Sequence, residues 1–366
     1  MIDPSIVYFS KMFQAVPPLA QVARELSGTF VSSRRTTMRA AKRMYPDVDM
    51  ARYSKYLGNL AKGNRLLRDS DVIVTGSPYR DFLKPYGAKK CTVFHGTYTL
   101  LSREALLRNS HFDLLCIIGP RMRSMIERYS GDLELKTVET GFLPFCEFPD
   151  RTETLRRKTL SELGLHPEQK TVLYTPSRRG VGSWEYAAEN ILLTSPPNMN
   201  LILRPHPSQG LTPRMADRKL ISRLRVIAKK RGNAVIDLSD WPLASFLAVA
   251  DLLISDANSP AEESMFYDIP LIFTETNRLG RATALENGKK HKLDQDHLDM
   301  RLSLFDAGVC VDAENELDFS SVVFEALEQG DQLSVKRMDY FKWVFGYRDR
   351  NANLRVADAI RTHLIK

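Results

Sequence analysis

At 366 residues, with 43% hydrophobic and 26% charged side chains, the chain has the composition of an ordinary globular protein, which excludes disordered, collagen-like and low-complexity classes. No apolar run approaches the roughly 18 residues that cross a bilayer, and Cys91, Cys116, Cys146 and Cys310 lack metal-type spacing, which argues against a zinc site and a disulfide framework. The formal net charge of +8 sits almost wholly in residues 1–150, where 22 Lys+Arg face 15 Asp+Glu, against 30 and 29 in the remainder.

The length predicts two domains. Scattered thiols predict a reducing compartment. Asp3 and Lys11 interrupt the early apolar region, so no signal peptide is expected, and the chain is placed in the cytoplasm, with the inner face of the cell membrane as a possible working surface. In chain order, Ile6–Ser10 reads as a strand, Pro17–Pro18 open a helix closed by Gly28, and Thr29–Ser33 reads as a second strand. A basic amphipathic helical region is expected from Thr36 to about Leu67, interrupted at Pro46. Its cluster of Arg34, Arg35, Arg39, Lys42 and Arg43 suits polymer phosphates, a nucleic acid or an anionic membrane, or is a solvated helix face. Strands follow at Asp71–Gly76, at Lys90–Phe94 (running straight into His95), at Phe112–Ile118 and at Leu135–Thr140.

The stretch from Phe142-Leu143-Pro144 to Pro149-Asp150, rich in proline and aromatics, predicts a domain boundary. The alternation then restarts. Thr171–Thr175 leads into Pro176–Gly180, Asn200–Leu203 into Arg204-Pro205-His206-Pro207, and Ala234–Leu238 into Trp241-Pro242. Residues 252–273 read as strand, turn, short helix and strand, Val309–Val311 as a last strand, and the end of the chain to Lys366 as helical. Strands alternating with helices predict an α/β fold of two doubly wound Rossmann-like halves facing a cleft. The expected limits are 1–145, 146–335, and a helical segment at 336–366 that crosses back onto the first half.

Chemistry-bearing side chains cluster at the ends of these strands: His95, Arg178 and Arg179, Arg204 and His206, and the loop from Asp256 to Glu263. Carboxyl ends of parallel strands open to the ligand crevice. In the last loop, Ser259 is expected to cap a helix with Pro260 at its first position, leaving backbone N–H groups aimed at an anion. Histidine suits proton transfer near neutral pH, and arginine suits a diphosphate.

The ordered set Phe94-His95-Gly96-Thr97, Glu139-Thr140-Gly141, Tyr174-Thr175-Pro176-Ser177-Arg178, Leu203-Arg204-Pro205-His206-Pro207 and Ile254-Ser255-Asp256-Ala257-Asn258-Ser259 resembles the CDP-glycerol glycerophosphotransferases of teichoic acid and capsule synthesis. The resemblance runs from about residue 71 to the end, where Phe345–Asp349 and Val356–Ile360 look like the family's closing segment. It implies a GT-B fold. It implies His95 as general base on the acceptor hydroxyl, and His206, Arg204 and Arg178 at the donor's phosphates. Asn258 and Ser259 would bind phosphate at the helix start, Glu263 would hold donor hydroxyls, and Gly96 and Thr97 would stand with the substrate-binding residues. The expected reaction moves a glycerol-phosphate, polyol-phosphate or sugar unit from a nucleotide-activated donor such as CDP-glycerol to a hydroxyl of a surface-polymer precursor. The acceptor would be an anionic polymer or lipid-linked.

Ser255–Glu263 also has the feel of the matching loop in UDP-GlcNAc 2-epimerases, although Ile6–Ser10 lacks their Gly-Thr-Arg-Pro opening. That epimerase reading is one alternative, and a non-catalytic binder of nucleotides or anionic polymers is another. No metal or cofactor is expected. Asp47-Val48-Asp49 and Asp294-Gln295-Asp296 have the Asp-x-Asp spacing of metal-dependent transferases, but neither is read as following a strand, so both are taken as loop or helix-start acids. No nucleic-acid motif accompanies the basic cluster.

Overall fold

The computed structural model describes residues 4–97, 101–210, 213–239 and 241–365; Asp3 and Lys366, used in the sequence reading, lie outside them. The chain divides into two compact units, Met1–Glu147 with Lys342–Lys366, and Phe148–Phe341.

Among the described residues the first unit has seven parallel strands: β1 (Ile6–Phe9), β2 (Thr29–Ser32), β3 (Asp49–Arg52), β4 (Val72–Thr75), β5 (Lys89–Thr92), β6 (Leu114–Ile117) and β7 (Thr137–Glu139). Their order across the sheet is β3-β2-β1-β4-β5-β6-β7. β1, β4 and β6 are buried along their whole length. That is what a parallel sheet covered on both faces requires, and it explains their uninterrupted apolar sequences. The order reverses between β1 and β4, which is a topological switch point.

The long helical region expected between Thr36 and Leu67 is instead two helices, Arg35–Met44 and Lys62–Asp69, separated by β3. Only Ala51 of β3 is buried, so this edge strand has no apolar run to announce it. It forms because its backbone pairs with β2 in register, Phe30 opposite Met50 and Val31 opposite Ala51. Gly63 lets the following helix approach closely, since a Cβ there would lie 2.5 Å from the Arg52 carbonyl oxygen.

The C-terminal helix Ala352–Leu364 packs against the helix Val16–Leu26 and contributes Ala352, Val356, Ala359 and Ile360 to the core of this first unit. Phe142, Phe145 and Phe345 form an aromatic cluster beside it, with centroids 4.8 to 5.2 Å apart.

The second unit has six parallel strands: β8 (Thr171–Thr175), β9 (Asn200–Leu203), β10 (Ala234–Ile236), β11 (Leu252–Ser255), β12 (Leu271–Glu275) and β13 (Val309–Asp312). Their order is β10-β9-β8-β11-β12-β13, with the switch point between β8 and β11. Its core gathers Tyr174, Trp184, Leu201, Leu203, Ile254 and Phe319. No helix among the described residues is long and apolar enough to cross a membrane.

Candidate functional site

In the first unit, β5 runs out through Val93 and Phe94 to His95. Phe94 has φ +34°, an outlier for a bulky residue, and it turns the chain at the point where the histidine is presented. His95 Nδ1 lies 2.5 Å from the carbonyl oxygen of Gly76, just beyond β4. A carbonyl only accepts, so Nδ1 carries the proton and Nε2 is the ring's acceptor nitrogen. Ser77 Oγ stands 3.5 Å from the same Nδ1. Burial pushes the ring below the usual histidine value, offset in part by the Gly76 bond. A neutral imidazole with its basic nitrogen set by a backbone bond is the form that takes a proton.

Gly96 borders open space: a Cβ there would meet no atom within 4 Å. Thr97, expected among the substrate contacts, has a structural bond of its own. It is buried, and its carbonyl accepts from Arg121 Nη2 at 2.6 Å. Arg121 is itself buried and lies over the Trp343 ring at 5.4 Å. Thr97 therefore anchors the segment that carries His95.

In the second unit, the loop after β8 meets β11 and β12 around Asp256. This fully buried carboxylate accepts from Ser183 Oγ at 2.6 Å, Thr274 Oγ1 at 2.8 Å and the N–H of Ser183 at 3.2 Å, and also from the N–H of Ser177. Burial raises its proton affinity, and these bonds act against that rise. Asp256 thus ties the glycine-bearing loop after β8 to β11 and β12. Gly182 permits the closure, since a Cβ there would lie 2.7 Å from the Ser177 backbone. In the sequence Asp256 reads only as part of a polar break, because its partners lie 18 to 79 residues away.

His206 follows β9 and is partly buried. The N–H of Ser208 donates to His206 Nδ1 at 3.1 Å, and Ser208 Oγ lies 2.9 Å from the same atom. The neutral ring therefore carries its proton on Nε2, the reverse of His95. Burial, then the charges of Arg178 and Arg179, hold its pKa below the usual histidine value. Arg178 is exposed and makes no ion pair among the described residues. Arg179 is committed: it pairs with buried Asp217 and donates to the Ser208 carbonyl at 2.7 Å, joining the loops after β8 and β9.

Arg204, expected at the donor's phosphates, is engaged within the fold. Its guanidinium pairs with buried Asp237, donates to the Trp241 carbonyl at 2.5 Å and lies 4.5 Å from the Phe246 ring centre. It braces the His206 loop from behind.

The helix after β11 spans Ser259–Ser264, and its cap is Asn258 rather than Ser259. Asn258 Oδ1 accepts from the Ala261 N–H at 3.3 Å, and its amide donates to the Thr175 carbonyl and to Ser177 Oγ at 3.3 and 3.1 Å. Pro260 offers no N–H and that of Ala261 is taken, so the expected row of N–H groups aimed at an anion is absent here. Asn258 is a brace, and Ser259 is the first helical residue. The two glutamates divide their tasks. Glu262 is fully buried and accepts from Tyr340 Oη at 2.8 Å. Glu263 is partly exposed, and burial with the adjacent Glu262 charge pushes its carboxyl up to about 8. At neutral pH it is a neutral acid, able to donate as well as accept.

The Asp-x-Asp pairs are otherwise engaged. Asp47 pairs with Arg24 at 2.8 Å, and Asp294 caps the helix Gln295–Leu302 through the His297 N–H at 3.0 Å. Asp49 opens β3, a strand the sequence reading did not include. No group of three or more His, Cys, Asp or Glu side chains able to hold a metal occurs among the described residues.

No protein-family model and no curated protein sequence matches the chain. Solved structures do. The wall teichoic acid polymerase TagF, in a structure with CDPG, superposes over 99% of this chain and 89% of its own, with a TM-score of 0.64 and 15% identity. MnaA of S. aureus, solved with UDP, matches at TM-score 0.62 and 12% identity, covering 99% of this chain and 97% of its own. A glycosyltransferase from Rickettsia africae ESF-5 matches over the whole of both chains at TM-score 0.58 and 14% identity. The expected fold class is borne out: two parallel-sheet α/β units with switch points between β1 and β4 and between β8 and β11 give this chain the GT-B architecture that it shares with a teichoic acid polymerase and with glycosyltransferases.

Proposed function

We propose that the chain is a transferase that moves a glycerol-phosphate, polyol-phosphate or sugar unit from a nucleotide-activated donor, CDP-glycerol or a close relative, to a hydroxyl of a cell-surface polymer precursor. The observation that carries this reading is the pair of opposite tautomers. His95 has its acceptor nitrogen at Nε2 because Nδ1–H is bound to Gly76, whereas His206 has its donor at Nε2 because Nδ1 accepts from Ser208. The first suits removal of a proton from an attacking hydroxyl. The second suits a hydrogen bond to a phosphate oxygen of the donor.

In the glycerol-phosphate version, the acceptor oxygen bonds to the phosphorus bearing the glycerol as its proton passes to His95. The bond from that phosphorus to the nucleotide breaks, and the nucleoside monophosphate leaves with the electron pair. Negative charge grows on the leaving phosphate, where His206 Nε2–H and the Arg178 guanidinium stabilise it, more strongly away from bulk water. The resemblance also assigns Ser259 to the donor's phosphates, and the neutral Glu263 acid is suited to a donor hydroxyl. Arg204, Arg179, Asn258 and Asp256 hold the loops in place.

The test is turnover of CDP-glycerol and of UDP- and CMP-linked donors, followed by phosphorus NMR with polyol-phosphate acceptors. General-base catalysis contributes about 10²–10⁴-fold, so His95→Ala is expected to lose at least a hundredfold in kcat. An effect within about tenfold would sink the base assignment. The likeness to MnaA, solved with UDP, and the Ser255–Glu263 loop keep an epimerase as the second reading. Its sign would be interconversion of UDP-GlcNAc with no acceptor present. A chain that binds CDP or UDP but consumes no donor would be a binder only.

A further inference from the structure

We propose that one helical layer of the second unit is a self-complementary surface on which two copies of the chain pair about a twofold axis. Three helices form this layer. The middle one, Trp184–Thr194, packs against both Met215–Arg231 and Phe319–Glu328. Side chains tie the three together. Arg223 pairs with Glu189 of the middle helix, and Asn190 and Thr194 both donate to the Leu317 carbonyl, at 2.8 and 3.3 Å. Each helix buries one stripe and turns the opposite one outward. Tyr186 and Leu193, seven positions apart on the outer stripe of the middle helix, are 51% and 60% exposed. Val226 and Phe324, on the flanking helices, are 57% and 45% exposed. Large apolar side chains gathered on one face mark an interaction surface.

Charge selects the partner. Residues 214–231 hold eight basic side chains and one acid, Asp217, which is buried and paired with Arg179. Residues 312–335 hold seven acids and no base. Lys219, Lys229 and Lys230 on one flank, and Glu316, Glu325 and Glu328 on the other, are exposed and make no ion pair among the described residues. The middle helix holds the two flanks apart, so within one copy they cannot neutralise each other. A polyanion would suit the basic flank and be repelled by the acidic one, and a polycation would meet the reverse. A second copy matches the whole face. With the twofold axis lying along the middle helix, Tyr186 and Leu193 meet their own counterparts, and each basic helix lies on the other copy's acidic one. Helices of 10 to 17 residues, rising about 1.5 Å per residue and spaced about 10 Å apart, offer roughly 600 Å² per copy. A pair then covers about 1,200 Å², the size at which specific interfaces begin.

This inference does not rest on the transferase reading, because mass is measured without donor or acceptor. Sedimentation velocity and light scattering of the full chain, from about 1 to 200 μM at low salt, should show monomer passing to dimer and nothing larger. At about 0.5 M salt the dimer should weaken several-fold, because exposed charges are then screened. Lys219→Glu/Lys230→Glu makes both flanks acidic, and Glu325→Lys/Glu328→Lys makes both basic. Each variant alone should dimerise at least tenfold more weakly, since like charges then face each other on both sides. Mixing the two should restore the dimer, because every flank again meets its opposite. Leu193→Asp, at the centre of the face, should weaken pairing and be rescued by neither variant. All five positions are exposed, so thermal melting near the parental midpoint serves as the folding control. Four outcomes overturn the proposal. The chain stays monomeric over the whole range. A dimer forms that charge reversal leaves unchanged. The mixed variants remain monomeric. Mass grows past two copies, which marks a head-to-tail array.

Discussion

His95 and His206 differ in one respect that matters chemically, namely which nitrogen the backbone occupies. A base must be unprotonated to work, and both rings are held below the usual histidine value, first by burial. The acid limb of the kcat/KM profile is therefore expected below about pH 6.5, the ordinary histidine value; a midpoint at or above it would count against these neutral rings. Glu263 works in the opposite sense. Its folded value, about 8, lies above that of an unfolded glutamate. Its contribution to stability is thus fully present below about pH 4.3 and is lost as pH rises through about 8. Thermal melts of the parent should fall between about pH 5 and pH 9, and Glu263→Gln should remove part of that fall; an unchanged fall would show that Glu263 is not the group responsible. Asp256 has the largest expected structural effect of any single side chain in the site. Asp256→Ala strands the Ser177 and Ser183 N–H groups, while the Ser183 and Thr274 hydroxyls lose one partner each but keep one another. The expected cost is about 3 kcal/mol or more, read by urea unfolding.

At the scale of elements, the turn between β11 and its helix shows what local pattern resolves. Serine and asparagine cap helices about equally well, so Asn258-Ser259-Pro260 admits two registers. The register is chosen by bonds from Asn258 to Thr175 on β8 and to Ser177 just beyond it, together with the Ser255 Oγ bond to Asn258 Oδ1 at 2.9 Å. Asn258→Ala should therefore cost more than the roughly 1 kcal/mol of an isolated cap, and Asn258→Ser should recover only the capping share; equal stability of the two variants would contradict this. β3 makes the complementary point. Strands such as β4, β6 and β11 are legible because both faces are buried and every residue is apolar or small. Asp49-Met50-Ala51-Arg52 has no such pattern, and only pairing with β2 makes it a strand.

On the scale of the whole molecule, the C-terminal helix belongs to the core of a unit most of whose residues, Met1–Glu147, lie more than 200 positions earlier. Ile360 and Val356 are fully buried with Leu19, Val22, Leu114 and Leu143. Ile360→Ala is expected to cost about 2–5 kcal/mol. Gly119→Ala should also destabilise, because its Cβ would lie 2.6 Å from the Phe345 carbonyl carbon, which is backbone and cannot swing aside. Denaturation of either variant at parental midpoints would show that the closing segment is dispensable. The sequence alone determined the alternation of strands and helices, the two-domain α/β class and the histidines at strand ends, because periodicity, capping and strand–turn chemistry act over a few residues. Tertiary structure alone decided which polar groups remain for a ligand. Arg204 goes to Asp237, Arg179 to Asp217 and the Ala261 N–H to Asn258, while the two rings take opposite tautomers from Gly76 and Ser208. A charge in a motif says only that a bond is wanted. Which partner satisfies it depends on contacts that the chain makes 33 or 38 residues away, and on which of them is buried.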